Sequence, residues 1–525
     1  MTLTGELLIG AACVPATAGT LKALNPATGE LLEPEFAVVG PAEVDRALRL
    51  ADEAFDSYSH TGPTERAAFL DLIADRLEAV KNELAARTSL ETGLPAAQFE
   101  GETLRAAEHF RKFATVVRQG RFLQATIDPA QPERQPAPRM DHRMQKVALG
   151  PVVIFGASNF PISYSVAGGD TASALAAGCP VVLKAHNAHP GASEIQGRAI
   201  QQAVTEAGLH EGVFSLVRGA GNEIGEALVE HPLVRAVTFT GSEGGGMALF
   251  RRAQQRPDPV PVFTEMTSVN PTFVLPAALA ARGAEIGTGV AQRAQYNVGQ
   301  ACLKPAILLA IDGPGFTELR DAATAEVAKT AARTMLTPGI HDSYTRNVRR
   351  IEEGGATRIG AGAAPIRTWD GQSLLYEVTG EQVLAEPALR QEVFGPSILL
   401  VRLTDMEQLH HVARAFRGQL SATMHAEAAD RAAAKQLLPI LERRTGRIVI
   451  NAFSIPQEVS NASVHTGPFP ATSDSRFTSV GMSAIERFLR PVTYQGFPDE
   501  LLPKPLREAN PLHLWRLVDG EPTRN

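Results

Sequence analysis

Apolar and polar positions follow two rhythms along this chain. Over residues 43–120 apolar side chains return every three or four positions. Phe69, Leu70, Ile73, Leu77, Val80 and Leu84 share one helical face, and this spacing predicts an amphipathic helix running through them. Thr61-Gly62-Pro63-Thr64 offers the turn and N-cap that would start it. The charges opposite the stripe read as a solvated face. From residue 151 short apolar runs alternate with helical stretches. PVVIFGA, CPVVLKA, VFSLVRG and AVTFTGS read as strands. YSVAGGDTASALAAG, PGASEIQGRAIQQAVTEAG and GNEIGEALVEH between them read as helices. That alternation predicts a parallel sheet covered on both faces.

A second mixed region runs from about 265 to 480, with apolar runs AILLAI, SILLVRL and RIVINA. Residues 128–146 break both rhythms. They are Pro-rich, and Pro cannot donate to a central ladder, so a loop or edge strand is expected there, reaching toward another subunit. The Pro-rich tail after about 485 carries Tyr and Trp and reads as ordered but not helical.

The chain has 525 residues, enough for three or four units of about 150 residues each. Lys and Arg number 50 against 57 Asp and Glu, a net charge of −7. That balance argues against nucleic acid or an anionic membrane as the main partner. No apolar run approaches about 18 residues, and MTLTGELLIG lacks the pattern of a signal peptide. Three scattered cysteines, Cys13, Cys179 and Cys302, fit a reducing, cytoplasmic setting and suggest no metal site.

Open parallel sheets bind ligands beyond the carboxyl ends of their strands, so the residues there are the ones to read. Asn159, in Gly156-Ala157-Ser158-Asn159-Phe160-Pro161, could donate to an oxyanion or be an ordinary turn residue. Lys184 could hold a phosphate or a ribose hydroxyl, or simply reach solvent. Gly219-Ala220-Gly221-Asn222-Glu223-Ile224-Gly225 is one residue longer than the dinucleotide fingerprint, though its glycines still permit close backbone approach. Gly241 and Ser242 open a helix and offer a phosphate seat. Cys302 sits among Gly, Gln and Pro, which suggests a special loop rather than core. Glu265 follows an apolar stretch and precedes Asn270-Pro271.

Taken singly these features are weak. Together, in this order, they resemble the aldehyde dehydrogenase superfamily over nearly the whole chain, from Asn25-Pro26-Ala27-Thr28-Gly29-Glu30 to the tail. The family's N-x-P asparagine falls on Asn159, its cofactor lysine on Lys184 and its F-T-G-S turn on Gly241 and Ser242. Its glutamate falls on Glu265, its G-Q-x-C nucleophile on Cys302 and its E-x-F-G-P on Glu392 to Pro396. FGASNFP, VLKAH, PATSDSR and ANPLHLWRLVDG look like the α-ketoglutaric semialdehyde (2,5-dioxopentanoate) dehydrogenases and the related NADP-dependent fatty aldehyde dehydrogenases. Three stretches depart from the superfamily pattern: Met-Thr-Ser-Val-Asn-Pro after Glu265, Glu243-Gly244 after the Gly-Ser turn and Leu303-Lys304 after the cysteine.

The resemblance implies an α/β fold. It would comprise a Rossmann-like cofactor domain with N-terminal helices (1–127 and 147–264), a catalytic domain (265–484) and a small β arm with tail (128–146 and 485–525) that pairs subunits into a homodimer or tetramer. It implies a Cys302 thiolate that attacks the aldehyde, an oxyanion held by Asn159 and the Cys302 backbone N–H, and Glu265 as base for thioester hydrolysis. Phe155, Ser158, Lys184, His186, Asn187, Gly221, Gly225, Gly241, Ser242, Glu392 and Phe394 would contact the cofactor. No metal is required. NAD-preferring relatives commonly carry Glu where this chain has Asn187. A missing carboxylate removes repulsion against a 2′-phosphate, so NADP is expected to be preferred and NAD accepted. The expected reaction is 2,5-dioxopentanoate to 2-oxoglutarate, with a medium- or long-chain aldehyde as the alternative substrate. Phe160, Phe469 and Arg476 are candidate substrate contacts. Other readings are transfer of the acyl group to coenzyme A, a cysteine hydrolase using His465, or an inactive scaffold.

Overall fold

The computed structural model describes residues 2–219 and 221–524. The apolar runs after residue 151 pair in parallel. Their sheet has seven strands in the order Val262–Glu265, Ala236–Thr240, Val152–Phe155, Val181–Lys184, Phe214–Val217, Leu7–Ile9 and Ala12–Val14. The last two form an antiparallel hairpin that closes one edge. The first parallel strand, Val152–Phe155, has later strands on both sides, which makes it the switch point where a crevice opens. Register then gathers the strand ends: Phe155 lies beside Lys184 and Phe239, and Thr240 beside Glu265.

A second seven-stranded sheet uses Thr357–Ala361, Leu374–Thr379, Ser397–Leu403, Ile307–Ile311, Thr272–Val274, Gln419–His425 and Thr445–Ile450, in that order. Only its 357–361 edge is antiparallel. A separate five-stranded sheet joins Leu489–Gln495, His142–Ala148, Thr126–Asp128, Arg516–Val518 and Glu521–Thr523. Residues 129–141 are the loop expected for this stretch, whereas His142–Ala148 is an interior strand rather than a loop or edge. The prolines before residue 142 fall in the turn, outside the ladder, where no donor is missed.

The apolar stripe from Phe69 to Leu84 is two helices, not one. Pro63–Ala79 stops at Val80, which leaves the helical region at φ −102°, ψ 8°, and Lys81–Thr92 begins at once. Phe69, Leu70, Ile73, Leu77 and Leu84 are all buried, so the stripe reported burial correctly while hiding the break. Gly62 is the cap residue and Pro63 takes the first helical turn, where its missing N–H costs nothing. The small-residue helix starts at Gly169, later than expected, because Tyr164–Gly168 is spent on turns behind Asn159.

Candidate active site

The loop carrying Cys302 is held in an unusual shape. Asn297, Val298 and Gly299 have successive φ values of 50°, 57° and 66°. Left-handed backbone at a β-branched Val costs on the order of 1–3 kcal/mol, so the surroundings must impose it. A Cβ on Gly299 would stand 2.2 Å from the Gly395 carbonyl oxygen, so only glycine lets this loop meet the 392–397 segment. The Asn270 amide donates to the carbonyls of Cys302 (2.8 Å) and Lys304 (3.0 Å). Lys304 is buried, and its ammonium donates to the carbonyls of Val393, Gly395 and Ser397 at 2.6, 2.6 and 3.2 Å. Asn270 and Lys304 therefore tie the cysteine loop to the strand after Glu265 and to the loop bearing Glu392 and Phe394.

Around the half-buried Cys302 sulfur stand Glu265 and His465; donor atoms of all three lie within 4.8 Å of one another. A Cys/His/Glu set of that span could also hold a metal ion, a grouping the scattered sequence positions did not suggest. His465 Nε2 donates to Glu265 Oε1 at 2.7 Å, and the Ser479 hydroxyl donates to Oε2 at 2.9 Å. Burial pushes the Glu265 carboxyl up, but His465, Ser479 and the Cys302 thiol outweigh it and hold the group below its ordinary value. Burial and the charge of Glu265 push the Cys302 thiol well up, so it is protonated as it stands. Asn159 is buried and donates to the Gln300 carbonyl at 3.1 Å, which keeps its amide beside the cysteine loop.

A cavity of about 550 Å³ is lined by Ser158, Asn159, Glu265, Cys302, Glu392 and Phe394, among others. Through Thr240, Gly241 and Ser242 it joins a groove of about 890 Å³ along the sheet's carboxyl edge, where Phe155, Lys184, His186, Gly221 and Gly225 lie. Ala220 of that glycine-rich stretch lies outside the described residues. Asn187 does not line the groove; its side chain accepts from Lys184 Nζ at 3.3 Å. Burial pushes Lys184 down to about 8. Glu392 accepts from the Thr267 hydroxyl at 2.8 Å, and burial pushes its carboxyl up. Glu243, in the first turn of helix Glu243–Gln254, pairs with Arg417 at 3.0 Å.

A third cavity, about 290 Å³, also reaches Cys302 and is walled partly by Phe160, Tyr164, Tyr296 and Ile455. Two of the three expected substrate contacts lie elsewhere. Arg476 forks onto Asp474 and is 80 % exposed, so its charge is already matched at the surface. Phe469 is half exposed, and the Arg417 guanidinium lies over its ring. Neither lines any of these three cavities. His465, Ser479, Thr267 and Asn270 had no assigned place in an aldehyde site. Only the Asn270-Pro271 pair after Glu265 hinted that this stretch is a fixed turn.

The family model described as "Aldehyde dehydrogenase family" matches residues 13–467. The chain is 53% identical over 523 residues to alpha-ketoglutaric semialdehyde dehydrogenase 2 of Azospirillum brasilense, covering 99% of this chain and 100% of the relative. It is 43% identical to alpha-ketoglutaric semialdehyde dehydrogenase of Acinetobacter baylyi, covering 99% of each. Among solved structures, PnpE from Pseudomonas sp. WBC-3 superposes with a TM-score of 0.80 at 23% identity, covering 94% of this chain and 97% of that one. The NADP-dependent glyceraldehyde-3-phosphate dehydrogenase from Bacillus halodurans C-125 gives a TM-score of 0.80 at 21% identity, covering 94% and 99%. Matched along most of its length by the family model and along nearly all of it by two such relatives, the chain belongs to the aldehyde dehydrogenase family.

Proposed function

We propose that this aldehyde dehydrogenase oxidises 2,5-dioxopentanoate to 2-oxoglutarate with NADP, through a covalent intermediate on Cys302. One observation carries the covalent reading. Among the described residues, Cys302 alone lines both the 550 Å³ cavity that joins the groove and the 290 Å³ cavity. A thiol at that junction can bond a substrate entering by one cavity while an electron acceptor approaches by the other. The substrate reading rests on the two full-length relatives named for that semialdehyde.

The groove suits a dinucleotide. The N-terminus of helix Glu243–Gln254 offers backbone N–H groups, and the space beside Gly244 is open. Arg417 offsets the Glu243 charge there. Lys184 would hold the adenosine ribose and its 2′-phosphate; it is a desolvated cation whose hydrogen-bond partner is the neutral Asn187. Glu392 and Phe394 would hold the nicotinamide riboside. When bound, the nicotinamide supplies the two-electron acceptor.

The protein's own groups do the rest. The Cys302 thiol gives up its proton to water in the open cavity, and the thiolate adds to the aldehyde carbon. Asn159 Nδ2 and the Cys302 N–H donate to the resulting oxyanion. Once that carbon is oxidised, Cys302 carries a thioester. Glu265, held ionised by His465 and Ser479, takes a proton from water as the water attacks. The carboxylate leaves and the thiolate is restored. The arrangement supports hydrolysis over transfer to coenzyme A, because a fixed carboxylate stands beside the sulfur. The five-stranded sheet built from 126–148 and 489–523 is our candidate for the subunit-pairing arm of a homodimer.

The test compares kcat/KM for 2,5-dioxopentanoate and for a long-chain aldehyde, with NADP and NAD in parallel. An advantage above tenfold for the semialdehyde, about 1.4 kcal/mol of transition-state discrimination, is expected. A preference for the long chain overturns the substrate assignment.

A further inference from the structure

We propose that Arg105 binds the carboxylate at the far end of the substrate and thereby selects carboxylated aldehydes over neutral ones. The inference deepens the functional reading above and rests on it. One face of helix Ala96–Gln119 walls the 290 Å³ cavity beyond Cys302: Gln98, Gly101, Glu102 and Arg105, at helical spacings of three and four. Arg105 is the only cationic residue of that lining. It is half-buried, its polar neighbour is the Tyr164 hydroxyl, and no carboxylate of the described residues forms an ion pair with it.

The other charge in the lining is already committed. Glu102 Oε1 accepts from the backbone N–H groups of Ile162 (3.0 Å) and Ser163 (2.9 Å) and from the Ser163 hydroxyl (3.1 Å). Glu102 therefore anchors the turn after Asn159; it and Glu458 feel the charge of Arg105, but neither hydrogen-bonds the guanidinium, whose donors stay available to the cavity. A planar guanidinium with unmatched donors suits a carboxylate, which it can take by two parallel hydrogen bonds. Gln98, Ser163 and Gln457 add polar wall, which a fatty chain would desolvate without return. A short aldehyde with an acidic end can put its carbonyl at Cys302 and its charge at Arg105.

The test is the selectivity ratio, kcat/KM for a carboxylated aldehyde over that for its neutral counterpart. The pairs are 2,5-dioxopentanoate with pentanal and succinic semialdehyde with butanal. For Arg105→Ala the ratio is expected to fall at least tenfold, mainly through KM, and Arg105→Lys should recover part of it. A ratio unchanged in Arg105→Ala, or equal losses on both members of a pair, overturns the assignment, as does a wild-type enzyme that shows no preference for the carboxylate. If the wild type favours succinic semialdehyde and Arg105→Ala abolishes that preference, Arg105 stands and the 2,5-dioxopentanoate reading falls.

Discussion

His465 Nε2 lies 2.7 Å from Glu265 Oε1, and both side chains are buried. No described residue hydrogen-bonds His465 Nδ1, so the ring serves the carboxylate through its Nε2–H alone. In the proposed mechanism this bond keeps a buried base ionised and pointed at the thioester. Replacing His465 with Phe removes a lowering influence, so the Glu265 carboxyl should titrate at a higher pH. The acid limb of the kcat–pH profile should then move upward, and kcat at neutral pH should fall by up to about 100-fold, no more than the low end of the roughly 100- to 10,000-fold that general-base catalysis supplies, because the carboxylate itself remains. His465→Gln can still donate and should lose less. An unshifted acid limb in His465→Phe would show that the bond does not tune the base.

The same carboxylate opposes thiolate formation at Cys302. Without cofactor, alkylation of Cys302 by iodoacetamide should be slow at neutral pH and climb steadily as pH rises. Glu265→Gln removes the repelling charge, so the thiol pKa should drop and alkylation at pH 7 should speed up several-fold. The comparison belongs in a Cys13→Ser background, because Cys13 is exposed. Slower alkylation in Glu265→Gln would instead mean that Glu265 removes the thiol proton.

Lys304 spends its three donors on three carbonyls of the loop that carries Glu392 and Phe394. Lys304→Met takes a donor from all three carbonyls; Gly395 still accepts from the Ser397 N–H at 2.8 Å, and each buried carbonyl left unpaired costs about 1–3 kcal/mol. The melting temperature should drop. NADPH affinity, read by fluorescence titration, should weaken more than that of Lys304→Arg. Unchanged affinity in a folded Lys304→Met protein would separate the lysine from the cofactor loop.

Asn187 pairs with Lys184 without charging it. Asn187→Glu places a carboxylate beside the cation meant for the 2′-phosphate, so the NADP/NAD ratio of kcat/KM should fall at least tenfold. An unchanged ratio would remove Asn187 and Lys184 from cofactor choice.

Much of this was legible in the sequence because its signals are local. Buried parallel strands read as unbroken apolar runs, and the residues just past them, such as Lys184 and Gly241, inherit their position from the strand. Cys302 and Glu265 carried their own sequence context. His465 and Ser479 did not. They reach Glu265 from 200 and 214 residues away, through a segment that pairs with the strand end at Thr472. The sequence offered Arg476 for a carboxylate and did not single out Arg105. Sequence cannot show that Asp474 already occupies one of them while the other faces a cavity. The break at Val80 was hidden because the next helix continues the same apolar spacing.

In the proposed reaction the oxidised substrate rides on Cys302 until Glu265 activates water. The direct measurement is mass spectrometry of Glu265→Gln quenched after mixing with 2,5-dioxopentanoate and NADP. The account predicts an acyl adduct that maps to Cys302 and builds up as one equivalent of NADPH appears, followed by near-arrest of turnover. Steady turnover in Glu265→Gln with no adduct on Cys302, or NADPH formation by Cys302→Ala, would contradict it.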